Sequence, residues 1–330
     1  MIESGLLPTQ ARAFWVLGPG QGEVRFEPLS EPGPSQVLVQ TLFSAVSRGT
    51  ESLVFRGKVP PSEYARMRCP HQQGEFPGPL KYGYSNVGRV VLGPPELEGR
   101  VVFCLYPHQT SYVVDREAVV LVPDDVPPER AVLAANLETA VNALWDALPL
   151  VGDRVSVIGA GVLGCLVARL VGRIPGVEVE LVDVRPGRAG VAAALSVDFR
   201  LPADATPARD LVFHASATSA GLQTALEVVD AGTKVVELSW FGDQLVSLPL
   251  GAAFHARRLT LASSQVGTIS PNARRRFDYS RRLAFALSLL NDPAFDVLFS
   301  EEEEFEMLPR SLLRLADPAT DVLCHRVRYG

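Results

Sequence analysis

The chain has 330 residues, 47% hydrophobic and 21% charged, which suits two ordinary domains or one large one around a sizeable core. Acidic residues number 37 against 31 basic ones, a net charge of −6, so nothing global draws the chain to phosphate backbones and no nucleic-acid partner is expected. The longest uncharged runs, Val155–Ala168 and Leu211–Leu226, are shorter than the about 20 apolar residues of a spanning helix, so no membrane span is expected.

At the start, Met1-Ile2-Glu3-Ser4 has neither the basic nor the apolar region of a signal peptide. The first third reads as short strands between turn clusters. Val37–Leu42, Gly88–Leu92, Arg100–Leu105 and Ser111–Val114 are strand-like, and Pro32-Gly33-Pro34, Pro77-Gly78-Pro79 and Gly93-Pro94-Pro95 punctuate them. That rhythm implies a small barrel or sandwich. The polar stretch Ser62–Gly74, with Arg66, Arg68 and His71, reads as an insertion that could form a lid. Past Pro123–Pro128 the composition turns Ala/Leu-rich, and Glu129 through Leu148 reads as helical.

From Asp153 the chain alternates strand and helix. Strands are expected at Arg154–Ile158, Val177–Val184, Leu211–Ala215, Lys234–Ser239 and Arg258–Ser263. Helices are expected at Val162–Arg173, Ala189–Leu195 and Ser219–Val229. Such alternation implies a doubly wound parallel sheet. A helix at Arg281–Leu290, a solvated acidic loop at Glu301–Glu304, a helix at Pro309–Ala316 and a strand at Val322–Val327 follow. The five arginines at 274–276, 281 and 282 read as a solvated helix face, with an anionic substrate as the alternative.

The strongest local signal is Val155-Ser156-Val157-Ile158-Gly159-Ala160-Gly161-Val162-Leu163-Gly164. It closes an apolar strand and opens an apolar helix, the context a GxGxxG loop requires. Gly159 permits the turn, Gly161 admits a pyrophosphate, and Gly164 lets helix and strand pack. The N–H groups of Val162 and Leu163 lie at the helix start, where phosphates bind. Asp183, 19 residues after Gly164, suits the ribose hydroxyls and favours NAD. Arg185 and Arg188 leave NADP open. His214, after a strand, reads as structural.

The order of parts resembles the medium-chain dehydrogenase/reductases, and Ser47–Glu51 with Gly83-Tyr84 looks most like their bacteriochlorophyllide-dehydrogenase-like branch. The carrying segments are Arg48-Gly49-Thr50-Glu51, Gly83-Tyr84-Ser85-Asn86-Val87-Gly88-Arg89-Val90, Thr139–Leu144 and Glu304-Phe305-Glu306-Met307-Leu308-Pro309. The resemblance implies an α/β architecture. A GroES-like β-rich catalytic domain would span residues 1–138, completed by 266–330. A Rossmann domain would span 139–265.

It also places Arg48, Tyr84 and Ala135 where zinc-dependent members hold the catalytic metal. None of the three ligates zinc. Of the four cysteines, Cys69, Cys104, Cys165 and Cys324, only Cys104 falls in the stretch of a structural zinc lobe. No zinc is therefore expected; Glu138 and His108 are too scattered to substitute. With the metal gone, Arg48 is the candidate electrophile, Tyr84 the proton donor and Thr50 the start of a proton relay. The alternatives are an Arg48–Glu51 ion pair and a packed Tyr84. Thr139 and Gln265 would lie near the nicotinamide, with a structural turn as the alternative for Gln265.

The resemblance implies a homodimer, and the unpaired cysteines fit the cytoplasm. The function implied is zinc-independent, NAD(P)-dependent hydride transfer on an alcohol/carbonyl pair, in the cleft between the domains. Reduction of an activated C=C bond, or dinucleotide binding without turnover, are the alternatives.

Overall fold

The computed structural model describes residues 8–330, so the reading of Met1–Ser4 lies outside the described residues. The described residues divide into two compact units, 8–135 with 299–330 and 136–298.

The first unit is built on antiparallel strands. β1 (Gln10–Gly18) and β2 (Gln21–Pro28) form a hairpin, followed by β3 (Gln36–Val46) and α1 (Arg48–Phe55). Short β4 (Gln73–Gly74) and β5 (Leu80–Lys81) complete a four-stranded sheet with the hairpin. Then come β6 (Asn86–Leu92), β7 (Val101–Cys104), β8 (Ser111–Asp115), β9 (Val119–Leu121) and the short helix α2 (Pro128–Ala131). Val37, Val39, Val90, Val102, Cys104, Tyr112 and Val114 share a buried cluster in which Tyr106 stacks on Tyr112 at 3.9 Å. Each such aliphatic side chain contributes about 1.5–3 kcal/mol on burial. Within Ser62–Gly74, Arg68 donates to the carbonyls of Gly74 and Gln72.

The second unit follows α3 (Ala134–Ala147). Its strands are β10 (Arg154–Ile158), β11 (Glu178–Val182), β12 (Asp198–Arg200), β13 (Arg209–His214), β14 (Val229–Glu237) and β15 (Thr260–Ser263), interleaved with α4 (Val162–Val171), α5 (Arg188–Ala194), α6 (Ser219–Val228), α7 (Ala253–Ala256) and α8 (Tyr279–Leu289). All six strands run parallel in the order β12-β11-β10-β13-β14-β15, as the alternation predicts. The order reverses between β10 and β13, and that switch point is where an open α/β sheet leaves a crevice at its carboxyl edge.

The chain then returns to the first unit through β16 (Phe299–Glu304), α9 (Leu308–Leu315) and β17 (Cys324–Arg328). β17 pairs antiparallel with β3 and parallel with β16, giving a seven-stranded sheet ordered β16-β17-β3-β6-β7-β9 with β8 also on β3.

Two expectations are corrected. Residues 266–298 belong with the parallel sheet, not with the β-rich unit. The reason is α8, whose buried Arg282 bonds Glu138 (2.9 Å), Asn142 (2.8 Å) and the Val266 carbonyl (2.7 Å), while Phe277 packs on Trp145. The acidic run Glu301–Glu304 is a strand rather than a loop. Its charges are matched by cations: Arg314 for Glu301, Arg326 for Glu302 and Arg328 for Glu304.

Candidate functional site

The glycine loop after β10 is fixed by packing. Gly159 has φ +109°, and a Cβ there would lie 2.7 Å from the Ser216 nitrogen. A Cβ on Gly164 would come within 1.9 Å of the Gly159 carbonyl, so α4 and β10 approach only because both residues are glycine. Gly161 meets nothing within 4 Å and caps α4 without a side-chain bond. The first N–H groups of a helix, here those of Val162 and Leu163, have no partner inside it and carry the positive end of its dipole.

Beside this opening, Asp183 accepts from the Ala160 nitrogen (2.7 Å) and the Arg185 nitrogen (2.9 Å), which fixes its carboxylate at the end of β11. Arg188, the first residue of α5, is buried. An uncapped helix start, open space before it and a fixed carboxylate one strand away fit a dinucleotide: the loop would hold the pyrophosphate and Asp183 a ribose.

The same edge carries a group that sequence reasoning left aside. At the end of β13, the fully buried His214 bonds Glu237 through Nδ1 (2.7 Å) and the Ser216 hydroxyl through Nε2 (2.7 Å). Ser216 Oγ lies 3.0 Å from Thr218 Oγ1, which caps α6 by accepting from the Gly221 nitrogen. Glu237 ends β14 and also accepts from the Ser239 nitrogen. The sequence signal was a His closing one strand and a Glu closing the next. Only parallel register makes them neighbours, and β13 and β14 pair His214 with Glu237.

In the first unit, α1 begins at the segment of interest. Arg48 donates to the carbonyls of Leu315, Asp317, Pro318 and Val322 through all three guanidinium nitrogens. It therefore caps the C-terminal end of α9, as a cation suits. The alternative reading, an Arg48–Glu51 ion pair, is not met. Glu51, almost fully buried, instead accepts from the Ser47 nitrogen (2.7 Å) and pairs with His108 Nε2 (2.9 Å), whose Nδ1 meets the Ser44 hydroxyl (2.7 Å).

Tyr84 donates to Ser47 Oγ (2.7 Å), with the Thr50 hydroxyl also facing its phenol. Burial, and next the Glu51 carboxylate, push that phenol above its ordinary value, so it stays protonated at neutral pH. The structure thus gathers Tyr84, Thr50, Ser47 and Glu51, and ties Arg48 to the C-terminal return.

The remaining candidates are scattered. Ala135 is buried. Glu138 is bonded to Arg282, and burial raises its carboxyl above the usual range despite that partner. Thr139 lies half-buried in α3. Gln265 accepts from the Gly267 nitrogen (2.6 Å), the structural turn that was its alternative. Arg274, Arg275, Arg276 and Arg281 are exposed. Among the described residues no three His, Cys, Asp or Glu side chains converge as a metal set, and the free thiols of Cys69, Cys104, Cys165 and Cys324 are buried, which pushes each up to about 12.

No family model matches the chain. It is 30% identical over 203 residues to 2-desacetyl-2-hydroxyethyl bacteriochlorophyllide A dehydrogenase of Rhodobacter capsulatus, covering 55% of this chain and 58% of that protein. It is also 30% identical over 209 residues to L-threonine 3-dehydrogenase of a Chelativorans species, covering 52% and 56%. The alignments thus span little more than half of either relative. L-idonate 5-dehydrogenase of Escherichia coli superposes with a TM-score of 0.79 at 18% identity, over 97% of this chain and 98% of that one. By fold, the chain matches solved medium-chain dehydrogenase structures, and by sequence it is similar to two curated dehydrogenases over about half its length. Within this medium-chain fold, the parallel sheet is the Rossmann unit and the antiparallel one the GroES-like unit.

Proposed function

We propose that the chain is a nicotinamide-dependent oxidoreductase that works without zinc on a secondary alcohol and its ketone. The observation that carries this is the open, uncapped start of α4 with Asp183 fixed beside it. The bound nicotinamide would supply hydride acceptance and donation. Gly161, Val162 and Leu163 would bind its phosphates and Asp183 a ribose, with NAD preferred because a second carboxylate-facing phosphate would be repelled. Arg188, Thr139 and Gln265 are proposed nearer the rest of the dinucleotide.

Zinc independence rests on the side chains themselves. At the three positions where the resemblance puts zinc ligands, the chain has a guanidinium that caps carbonyls, a protonated phenol and an alanine, side chains unsuited to zinc. We assign Thr50 and Tyr84 to substrate binding and Arg48 to holding α1 in place. A secondary alcohol is favoured because the names of both curated relatives denote a hydroxyl on an ethyl side chain, C3 of threonine and a hydroxyethyl group. The exposed edge strand β15, with Leu261 partly exposed, supports a homodimer, and the free thiols support a cytoplasmic protein.

The test is calorimetric titration with NAD and NADP, wild type against Asp183→Ala. Loss of the ribose bonds should weaken NAD about tenfold or more and NADP less. Equal loss for both refutes the ribose role. Deuterium from labelled reduced cofactor should then appear on the carbinol carbon. Label on a carbon β to a carbonyl would mean C=C reduction instead.

A further inference from the structure

With His214 neutral, the cluster at the carboxyl ends of β13 and β14 has one allowed direction of hydrogen bonding. A carboxylate only accepts, so the 2.7 Å bond to Glu237 puts the His214 proton on Nδ1. Nε2 is then a bare acceptor, and the Ser216 hydroxyl must donate to it. Ser216 Oγ is left with its lone pairs free to accept, and the Thr218 hydroxyl donates there while its own oxygen takes the Gly221 N–H. The chain of donors runs inward from exposed Thr218, through half-buried Ser216, to fully buried His214, whose Nδ1 faces half-buried Glu237. Ser239 and Phe241, the other side chains at the ring, are uncharged.

Space has been kept for this chain. A Cβ on Gly221 would lie 2.2 Å from Ser216 Oγ and 3.0 Å from both His214 Nε2 and Thr218 Oγ1. Glycine in the first turn of α6 costs helix stability relative to alanine, and here it leaves room for three polar atoms to meet. The location is also chemical. Gly159 packs on the main chain of Ser216 across the switch point between β10 and β13. A dinucleotide whose one ribose meets Asp183 on the β11 side lays its other half toward β13 and β14.

We infer that Ser216, His214 and Glu237 form a proton relay for the substrate hydroxyl. The inference rests on the dehydrogenase reading above. In oxidation, the carbinol C–H bond breaks and its electron pair leaves as hydride to the oxidised nicotinamide. The substrate O–H proton passes to Ser216 Oγ as the proton of Ser216 moves to His214 Nε2. The products are a ketone and an imidazolium held opposite Glu237, and the proton later leaves through Ser216 and Thr218 to solvent. Reduction runs the same transfers backward. Ser216 is the catalytic hydroxyl, and Glu237 is a positioning residue that fixes the tautomer.

The experiment uses the full chain and Ser216→Ala, His214→Gln and Gly221→Ala. With 2-butanol and L-threonine as probe alcohols, the first two variants should lose about a hundredfold or more in kcat. NAD affinity, read by fluorescence, should stay within about threefold, and the pH limb of kcat should flatten. Gly221→Ala retains every relay atom. It should lose kcat about tenfold while NAD affinity stays within about threefold, a pairing that simple destabilisation does not produce. Wild-type kcat and an unchanged pH limb in the variants overturn the relay alone. Absence of any nicotinamide nucleotide binding overturns the dehydrogenase reading and the relay with it.

A second readout needs no turnover. The chain has five histidines, so nitrogen NMR of their rings can be assigned with His214→Gln. His214 should be the Nδ1–H tautomer, and its Nε2 resonance should move in both Ser216→Ala and Gly221→Ala. A proton on Nε2, or an Nε2 unmoved by Ser216→Ala, overturns the relay whether or not either alcohol reacts.

Discussion

Arg48 shows how a side chain of unmistakable chemistry acquires its role from neighbours remote in sequence. The guanidinium was legible as a cation at a former metal position, but its acceptors are carbonyls some 267 to 274 residues away, invisible to local reading. Arg48→Met should therefore cost about 2 kcal/mol or more of stability, because charged hydrogen bonds to several carbonyls are lost together; chemical unfolding measures it. Arg282 is the sharper case. Its side chain is 2% exposed and serves Glu138, Asn142 and a carbonyl at once. Arg282→Ala leaves a buried carboxylate alone and should cost about 3–5 kcal/mol by the same measurement.

At Asp210, hydrogen bonds from Arg154 hold the carboxyl at about 2, below its ordinary 3.8. A depressed acid stabilises the fold above its unfolded pKa, and that contribution fades as pH falls from about 4 to about 2. Asp210→Asn should flatten this part of the stability curve. The effect should be small, since both partners are over a third exposed.

Elements were legible where periodicity was strong. The alternation from Asp153 marks five of the six parallel strands and the helices α4, α5 and α6, because buried strands read as short apolar runs and the glycine loop marks its own position; short β12 and α7 carry no such run, and β14 starts at Val229 rather than Lys234. The hairpin of β1 and β2 and the helix α1 had no such signal: β2 is half-exposed with charges along it, and α1 begins with Arg48-Gly49-Thr50, a poor helix opening. The acidic strand β16 carries the charge density of a solvated loop, because local sequence does not show its cross-strand partners. Reversing two of those partners tests the explanation. The double variant Glu302→Lys and Glu304→Lys faces Arg326 and Arg328 with like charge. It should lower stability by about 1–2 kcal/mol, and less at high salt. In the candidate site, Gly159–Gly164 and Asp183 were legible from spacing; His214 and Glu237 required the register of two strands.

On the scale of the whole molecule, the two units differ in how the chain enters them. Residues 136–298 are continuous, whereas the other unit draws on residues before 136 and after 298. A 136–298 fragment should fold alone, with dispersed amide NMR signals. A fragment ending at 135 should not, because β3 would lose β17 along one side. The pairing of Val46 with His325 crosses about 280 residues. At a ribosomal pace of about 5–20 residues per second, the edge of β3 waits on the order of 15–60 s for its neighbour. During that interval the nascent protein carries an open, apolar strand while its Rossmann unit is already complete. Newborn chains are then the aggregation-prone species, and a stop codon a few residues early would be felt as a failure to close rather than as a trimmed tail.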